Sequence, residues 1–348
     1  MSEALKIIIP SITTFIVGVL ITPFISDFLY KNKMWKKKSV SKTTDGQDAT
    51  LTQKIHDDNV RMVPRMGGVV IWASVLFVTF SFFVIKKFFG ADFSIFSYFS
   101  RSETWIPIAV FVVTALFGLI DDYLVCKDEG SYIGGGLSLK TRLFFVFLIS
   151  IFIGYWMYSK INITEVHGLF SSVIHLGIYI IPLVVIFLIG LYSGGIIDGV
   201  DGLAGGVFVS MYGAYALISY MQGQYDISAL CMSIIGGILA FLWFNIPPAR
   251  FFMSETGSMS LSITLGVIAF LTREPVVLLV IAMPLILTSF SSVIQLLSKK
   301  LRNGKKIFKV APLHNHFQAI GWPPYKVTMR YWIFSVFCSL LGVILAVT

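Results

Sequence analysis

The chain has 348 residues, 56% of them apolar and 13% charged, and its mean hydropathy is +0.83. That composition excludes an ordinary soluble enzyme, a disordered segment and a disulfide scaffold, because the apolar residues run in long blocks. The net charge of +9 comes from Lys and Arg spread over the gaps between blocks, which argues against nucleic acid as a partner.

A block near 20 residues crosses about 30 Å of hydrocarbon as a helix. In chain order, blocks occupy 5–30, 67–89, 105–120, 141–159, 174–192, 202–220, 228–246, 258–271, 276–298 and 328–347. The fold class is therefore all-α, a polytopic membrane protein with about ten transmembrane helices, in a single domain spanning 1–348. Blocks 105–120 and 258–271 are short for a crossing and are expected to extend into the polar motifs beside them. The first block is long, lacks a small-x-small cleavage pattern and precedes a dense basic run, so it is expected to stay as a span. The stretch 34–62 is the most polar, and 299–327 forms a basic, histidine-bearing loop. No internal repeat is evident, which speaks against a transporter of duplicated halves. Cys126, Cys231 and Cys338 have no metal-ligand spacing and are expected to be inert.

Orientation follows from the basic residues, which are retained in the cytoplasm. Of 27 Lys and Arg, 21 fall in or beside alternate gaps, from Lys31–Arg65 through Lys127, Lys140, Arg142 and Arg250 to Lys299–Arg330. Only Lys6, Lys86, Lys87, Arg101, Lys160 and Arg273 lie on the other side. Both termini are expected outside, with the chemistry on the cytosolic face. A basic surface there also suits anionic lipid headgroups and nucleotides.

Four polar motifs interrupt the apolar blocks on that face. Asp121 and Asp122 end the third block within Phe117–Tyr123, and carboxylates at such depth are costly unless paired with cations. The alternative is a solvated helix end beside Lys127. Next, Gly194–Gly206 holds Asp198 and Asp201, which would share a face if a helix starts there. Its glycines permit a close approach to phosphate or, alternatively, close helix packing. The third motif, Phe244–Ser258, carries Asn245, Arg250, Phe251, Phe252 and Glu255. Pro247 and Pro248 end the preceding span. The phenylalanines offer a stacking face for a nucleobase, or pack in the core. The fourth, Ala311–Phe317, holds His314 and His316, whose i, i+2 spacing suits phosphate binding or proton transfer better than zinc.

Several carboxylates near a bilayer repel one another and take up protons unless a cation sits among them. Hard oxygen donors used beside phosphates are the preference of Mg²⁺. Phosphoryl transfer at the membrane surface is the reaction class these residues suggest.

These motifs resemble the polyprenyl-phosphate N-acetylhexosamine-1-phosphate transferases of glycosyltransferase family 4. Phe241–Asn245, Phe252–Ser258, Pro312–Phe317 and Gly321–Pro323 are most similar to the branch that transfers phospho-MurNAc-pentapeptide. Pro64–Gly68 (PRMGG) is more similar to relatives that transfer GlcNAc-1-phosphate. The resemblance implies ten spans and Mg²⁺-dependent transfer of a phospho-sugar to undecaprenyl phosphate in the bacterial cytoplasmic membrane, with UMP released. The donor it implies is UDP-MurNAc-pentapeptide or, alternatively, UDP-GlcNAc. It further implies a homodimer.

By motif, the resemblance implies catalytic roles for Asp121, Asp122, Asp198, Glu255 and His314, the four carboxylates also being metal ligands. Asp121 is the residue implied to deprotonate or position the lipid phosphate. Substrate contacts are implied for Asp201, Asn245, Phe252, His316, Arg142 and Lys140. Four positions depart from the family pattern: Glu255 replaces an Asp, Gly195 an Asn, Asn315 the middle of three histidines, and Val125 a Lys. They motivate a third reading, a catalytically weakened homologue acting as a scaffold or lipid binder.

Overall fold

In hydrocarbon the backbone must satisfy its own hydrogen bonds, so long apolar runs fold as helices. The computed structural model describes residues 2–36, 62–89, 97–100, 104–130, 135–168 and 172–348. Its helices are α1 (Ser2–Lys31), α2 (Val69–Phe89), α3 (Trp105–Lys127), α4 (Leu139–Lys160), α5 (Ile180–Gly194), α6 (Leu203–Met221), α7 (Tyr225–Asn245), α8 (Ser254–Leu271), α9 (Pro275–Ile281), α10 (Met283–Leu301), α11 (Leu313–Ala319) and α12 (Pro324–Val347). Among the described residues nine helices are long and apolar enough to cross a membrane, or ten if α9 and α10 form one span. Most of the polar stretch 34–62 lies outside the described residues.

Both short blocks extend as expected, α3 through Asp121 and Asp122 to Lys127, and α8 back to Ser254. The expected single span at 276–298 is instead two helices bent by 74° at Ala282. Pro284, in the first turn of α10, has no N–H to continue the ladder. A second departure is a small antiparallel hairpin, β1 (Glu165–His167) and β2 (Val173–His175), with Glu165 opposite His175.

Burial separates core helices from lipid-facing ones. Nearly all of α8 is buried, and most of α6 and α7. By contrast Ile12, Ile16, Leu20 and Phe24 form an exposed apolar stripe on α1 at i, i+4 spacing. Helix α10 is inverted relative to a soluble helix. It buries Thr288, Ser291, Gln295 and Ser298 and exposes Leu287, Phe290, Val293 and Leu297, as expected where the surroundings are hydrocarbon.

Helices in lipid associate through small residues and hydroxyl bonds. Gly68 meets Gly257 of α8, and Gly118 of α3 meets the backbone of Glu255, so closely that a Cβ would sit 2.4 Å from a backbone atom in each case. Tyr98 joins Thr79 of α2 (2.6 Å) to Ser233 of α7 (2.9 Å), and Thr14 of α1 reaches the same serine at 2.8 Å.

The hairpin and the α8–α9 turn lie at the end opposite the acidic motifs. Arg273 bonds Glu165 at 2.8 Å, and His167 Nδ1 lies 2.6 Å from the buried carboxylate of Glu274. Burial raises the Glu274 carboxyl above its ordinary value, partly offset by His167.

Two tests follow from this packing. Gly118→Val is expected to cost about 1–3 kcal/mol or more through overpacking, read as a lower melting midpoint in detergent. Gly213→Ala, inside α6 where a Cβ meets nothing within 4 Å, is expected to leave the midpoint no lower, and to raise it slightly through helix propensity. Because the folded chain favours protonated Glu274, that contribution is complete below the ordinary carboxyl range and is lost as pH rises through the raised value. Glu274→Gln is therefore expected to raise the midpoint near pH 8 and leave it unchanged near pH 4; a drop at both would overturn this account.

Candidate active site

The first N–H groups of a helix have no acceptor within it, and those of α8 are buried in the core. Carboxylates from two other segments satisfy them. Asp122 Oδ2 accepts from Thr256 N at 2.9 Å and from Thr256 Oγ1 at 2.7 Å. Asp198 Oδ2 accepts from Ser254 N at 2.6 Å. The positive end of the α8 dipole favours both charges, and Gly118 lets α3 come close enough to deliver Asp122.

Residues 64–68 are stitched to the chain just before α8. Phe252 N donates to Pro64 O (2.9 Å), Gly67 N to Phe252 O (2.8 Å) and Gly68 N to Met253 O (3.2 Å). This pairing brings the Arg65 guanidinium to Asp122 Oδ1, with Nε at 3.2 Å and Nη2 at 3.1 Å. Burial opposes the Arg65 charge, but Asp122 outweighs it and holds the guanidinium protonated. Both oxygens of Asp122 are thus engaged by protein.

Asp121 is held differently. Its Oδ1 accepts from Leu137 N at 2.7 Å and lies 3.3 Å from Arg142 Nε, whereas Oδ2 is buried without a hydrogen-bond partner. Ser138 caps α4 by accepting from Thr141 N, which fixes Arg142 in the first turn. There Nη1 donates to Glu255 Oε1 at 2.9 Å and Nε to Leu137 O at 3.1 Å, with Tyr192 alongside. Arg142 therefore bridges Asp121 and Glu255. Lys140 is exposed on the same turn.

Asp198 and Asp201 do not share a helical face. A short 3-10 turn ends at Ile197, and α6 begins only at Leu203, after Gly202 at φ 74°. The two carboxylates reach different backbones, Asp198 to Ser254 and Asp201 to Ala249 N at 3.0 Å. Asn245 braces this turn, accepting from Gly202 N at 2.9 Å and donating to Phe251 O at 2.7 Å. Phe251 is core, against Phe241 and Phe244, while Phe252 is partly exposed. His314 is buried against Gly199, where a Cβ would come within 2.6 Å of its Nε2. His316 sits further out, accepting from Lys309 N and packing beside Phe308 and Phe317.

Four carboxyl groups, on Asp121, Asp122, Asp198 and Glu255, gather around two guanidinium groups. Burial pushes Asp198 up to about 6, partly offset by Ser254 N–H and Arg65 and reinforced by Asp122 and Asp201. Among the described residues no three Asp, Glu, His or Cys side chains converge to cage a metal. These facts suit Mg²⁺ held by one or two carboxylates together with substrate phosphate oxygens, its usual mode. The free Oδ2 of Asp121 is a donor of the required type.

Sequence reasoning missed Arg65 and Thr256 as partners of Asp122, and Tyr192 beside Arg142. The depth of the aspartates signalled a need for cations, and Arg65 lay in a motif already noted. Nothing local paired them across 57 residues.

A model of the family described as "Glycosyl transferase family 4" matches residues 104–273. A phospho-N-acetylmuramoyl-pentapeptide-transferase of Geobacillus sp. (strain WCH70) is 30% identical over 97% of this chain and 96% of its own length. Enzymes of the same name from Pelagibacter ubique and Francisella philomiragia are 31% and 32% identical, over 94% and 86% of this chain and 89% and 85% of theirs. Similarity of that extent, over a helical membrane fold with this acidic site, places the chain in glycosyl transferase family 4.

Proposed function

We propose that this protein transfers phospho-MurNAc-pentapeptide from UDP-MurNAc-pentapeptide to undecaprenyl phosphate at the cytosolic face of a bacterial membrane. The observation that carries the reading is the asymmetry of the aspartate pair, with Asp122 saturated by Arg65 and Thr256 and Asp121 Oδ2 buried and unpartnered. The similar enzymes named above favour this donor.

In the reaction, an oxygen of the lipid phosphate bonds to the sugar-bearing phosphorus of the donor. The bond to the uridylyl phosphate breaks, and UMP leaves. Asp121 Oδ2 accepts a proton from the lipid phosphate or orients it. Arg142 fixes Asp121 and Glu255 relative to each other. Asp121 and Glu255, bridged by Arg142, are the residues that would hold Mg²⁺, with Asp122 and Asp198 behind them fixing the α8 terminus. Bound there, Mg²⁺ would neutralise charge on the diphosphate. His314 and His316 lie toward the sugar diphosphate. Phe252, Asp201 and Asn245 shape the uridine end, Asn245 as a brace, and Lys140 adds positive charge at the mouth. The same chemistry with UDP-GlcNAc is the second reading, favoured by Arg65 within the Pro64–Gly68 motif.

The test is UMP release by purified protein with undecaprenyl phosphate and Mg²⁺, comparing the two donors. Turnover with UDP-MurNAc-pentapeptide is expected; turnover only with UDP-GlcNAc moves the protein to the second reading, and none with either overturns both. Asp121→Asn is expected to lower kcat by about 10²–10⁴ with the melting midpoint unchanged. Asp122→Ala strands Arg65 and the Thr256 N–H, and is expected to cost about 3–5 kcal/mol of stability. If the two variants melt alike, the division of roles is wrong.

A further inference from the structure

The short helix α11 has two working sides. His314 points to Gly199, while Leu313 and Phe317, four apart, line a cavity of about 230 Å³ on the other side. Leu287 of α10, Trp322, and Arg330 and Phe334 of α12 complete most of its wall. Leu287 and Phe334 are exposed, and their apolar surfaces continue into Phe290 and Phe337. The cavity thus opens toward the lipid-facing belt.

Its rim is cationic. Trp322 stacks on Phe317 with ring centroids 4.6 Å apart, and carries the Arg330 guanidinium at 4.2 Å and the Lys326 ammonium at 5.1 Å. Beyond Glu274 the chain has eight Lys and Arg and no Asp or Glu. The loop bearing most of these charges is fixed to α10, where Gln295 binds the backbone of Ile307 and Phe308 and Ser298 that of Lys305. An apolar slot beneath two fixed cations, at the end of a hydrocarbon-facing surface, matches an acyl chain below a phosphate.

We propose that this cavity binds an anionic diacyl phospholipid, one chain between α10 and α12 and the phosphodiester on Arg330 and Lys326. The polyprenyl acceptor fits less well, because its phosphate must reach Asp121 and α11 stands between the cavity and the Asp198 turn. An occupant would press on Leu313 and Phe317 and so hold His314 toward Gly199. Only that last consequence rests on the proposed function.

The experiment uses the full chain in phosphatidylcholine nanodiscs containing either brominated phosphatidylglycerol or brominated phosphatidylcholine. Tryptophan quenching is read for wild type and Trp322→Phe, the difference isolating Trp322. Half-quenching of Trp322 is expected at roughly thirtyfold lower mole fraction of the phosphatidylglycerol, as two surface cations imply. Arg330→Ala is expected to lose about fivefold of that preference. Leu287→Phe, which narrows the mouth without touching the cations, is expected to reduce quenching in a protein whose melting is unchanged. Equal quenching by both lipids, or the same quenching in Trp322→Phe, overturns the proposal. Reversal by inorganic phosphate would assign the rim to a free anion, and displacement by an equal mole fraction of undecaprenyl phosphate would assign the cavity to the acceptor; either overturns it. No turnover is needed, so failure here is separate from failure of the transferase reading.

Discussion

A helix that begins inside a membrane protein must find acceptors for its first N–H groups, and α8 begins in the core. Asp122 and Asp198 supply them from α3 and the α5–α6 turn. That requirement draws four distant segments together, because the carboxylates need cations and the cations need positions. Arg65 arrives by backbone pairing of residues 64–68 with 252–253, and Arg142 by the capped start of α4. The glycines at 68 and 118 are the steric counterpart, since any side chain there would push α8 away from its acceptors.

The adjacent aspartates end up in unlike states although the sequence treats them alike. One helical position turns Asp122 toward α8 and Asp121 toward Leu137 and Arg142. A carboxylate with both oxygens engaged by donors organises structure, and one with a buried idle oxygen retains capacity for chemistry. Glu255 belongs with Asp121 because a single guanidinium holds both. It reaches Arg142 from the first turn of α8.

Much of this was legible in the sequence, and the exceptions have physical causes. The membrane fold was plain because a span is a local property of some twenty residues. The apolar count stopped at Ile120, but the helix continues to Lys127, since helical hydrogen bonds persist when paired cations relieve the carboxylates. The break at Ala282 was hidden because proline is an ambiguous signal in membrane helices. Pro10 and Pro23 lie inside unbroken α1, whereas Pro284 accompanies a 74° bend. The 165–175 hairpin has strands of three residues each, too short for alternation to register. The acidic motifs come together in space around the start of α8, but Asp198 and Asp201 precede α6 rather than begin it, since Gly202 adopts a left-handed conformation before that helix starts at Leu203.

The level at which α8 starts also sets the relief of the protein surface. Asp122 meets the first turn of α8, yet α3 runs five residues further to Lys127, a rise of about 7.5 Å. The floor of the site is therefore sunk below the end of α3. On the proposed function, a nucleotide donor would descend into this basin and exchange its hydration for arginine and carboxylate contacts. A lipid phosphate, tethered at headgroup height, would reach the floor by moving sideways. The two substrates of a membrane transferase would thus enter along perpendicular routes, and neither would have to leave the medium that dissolves it.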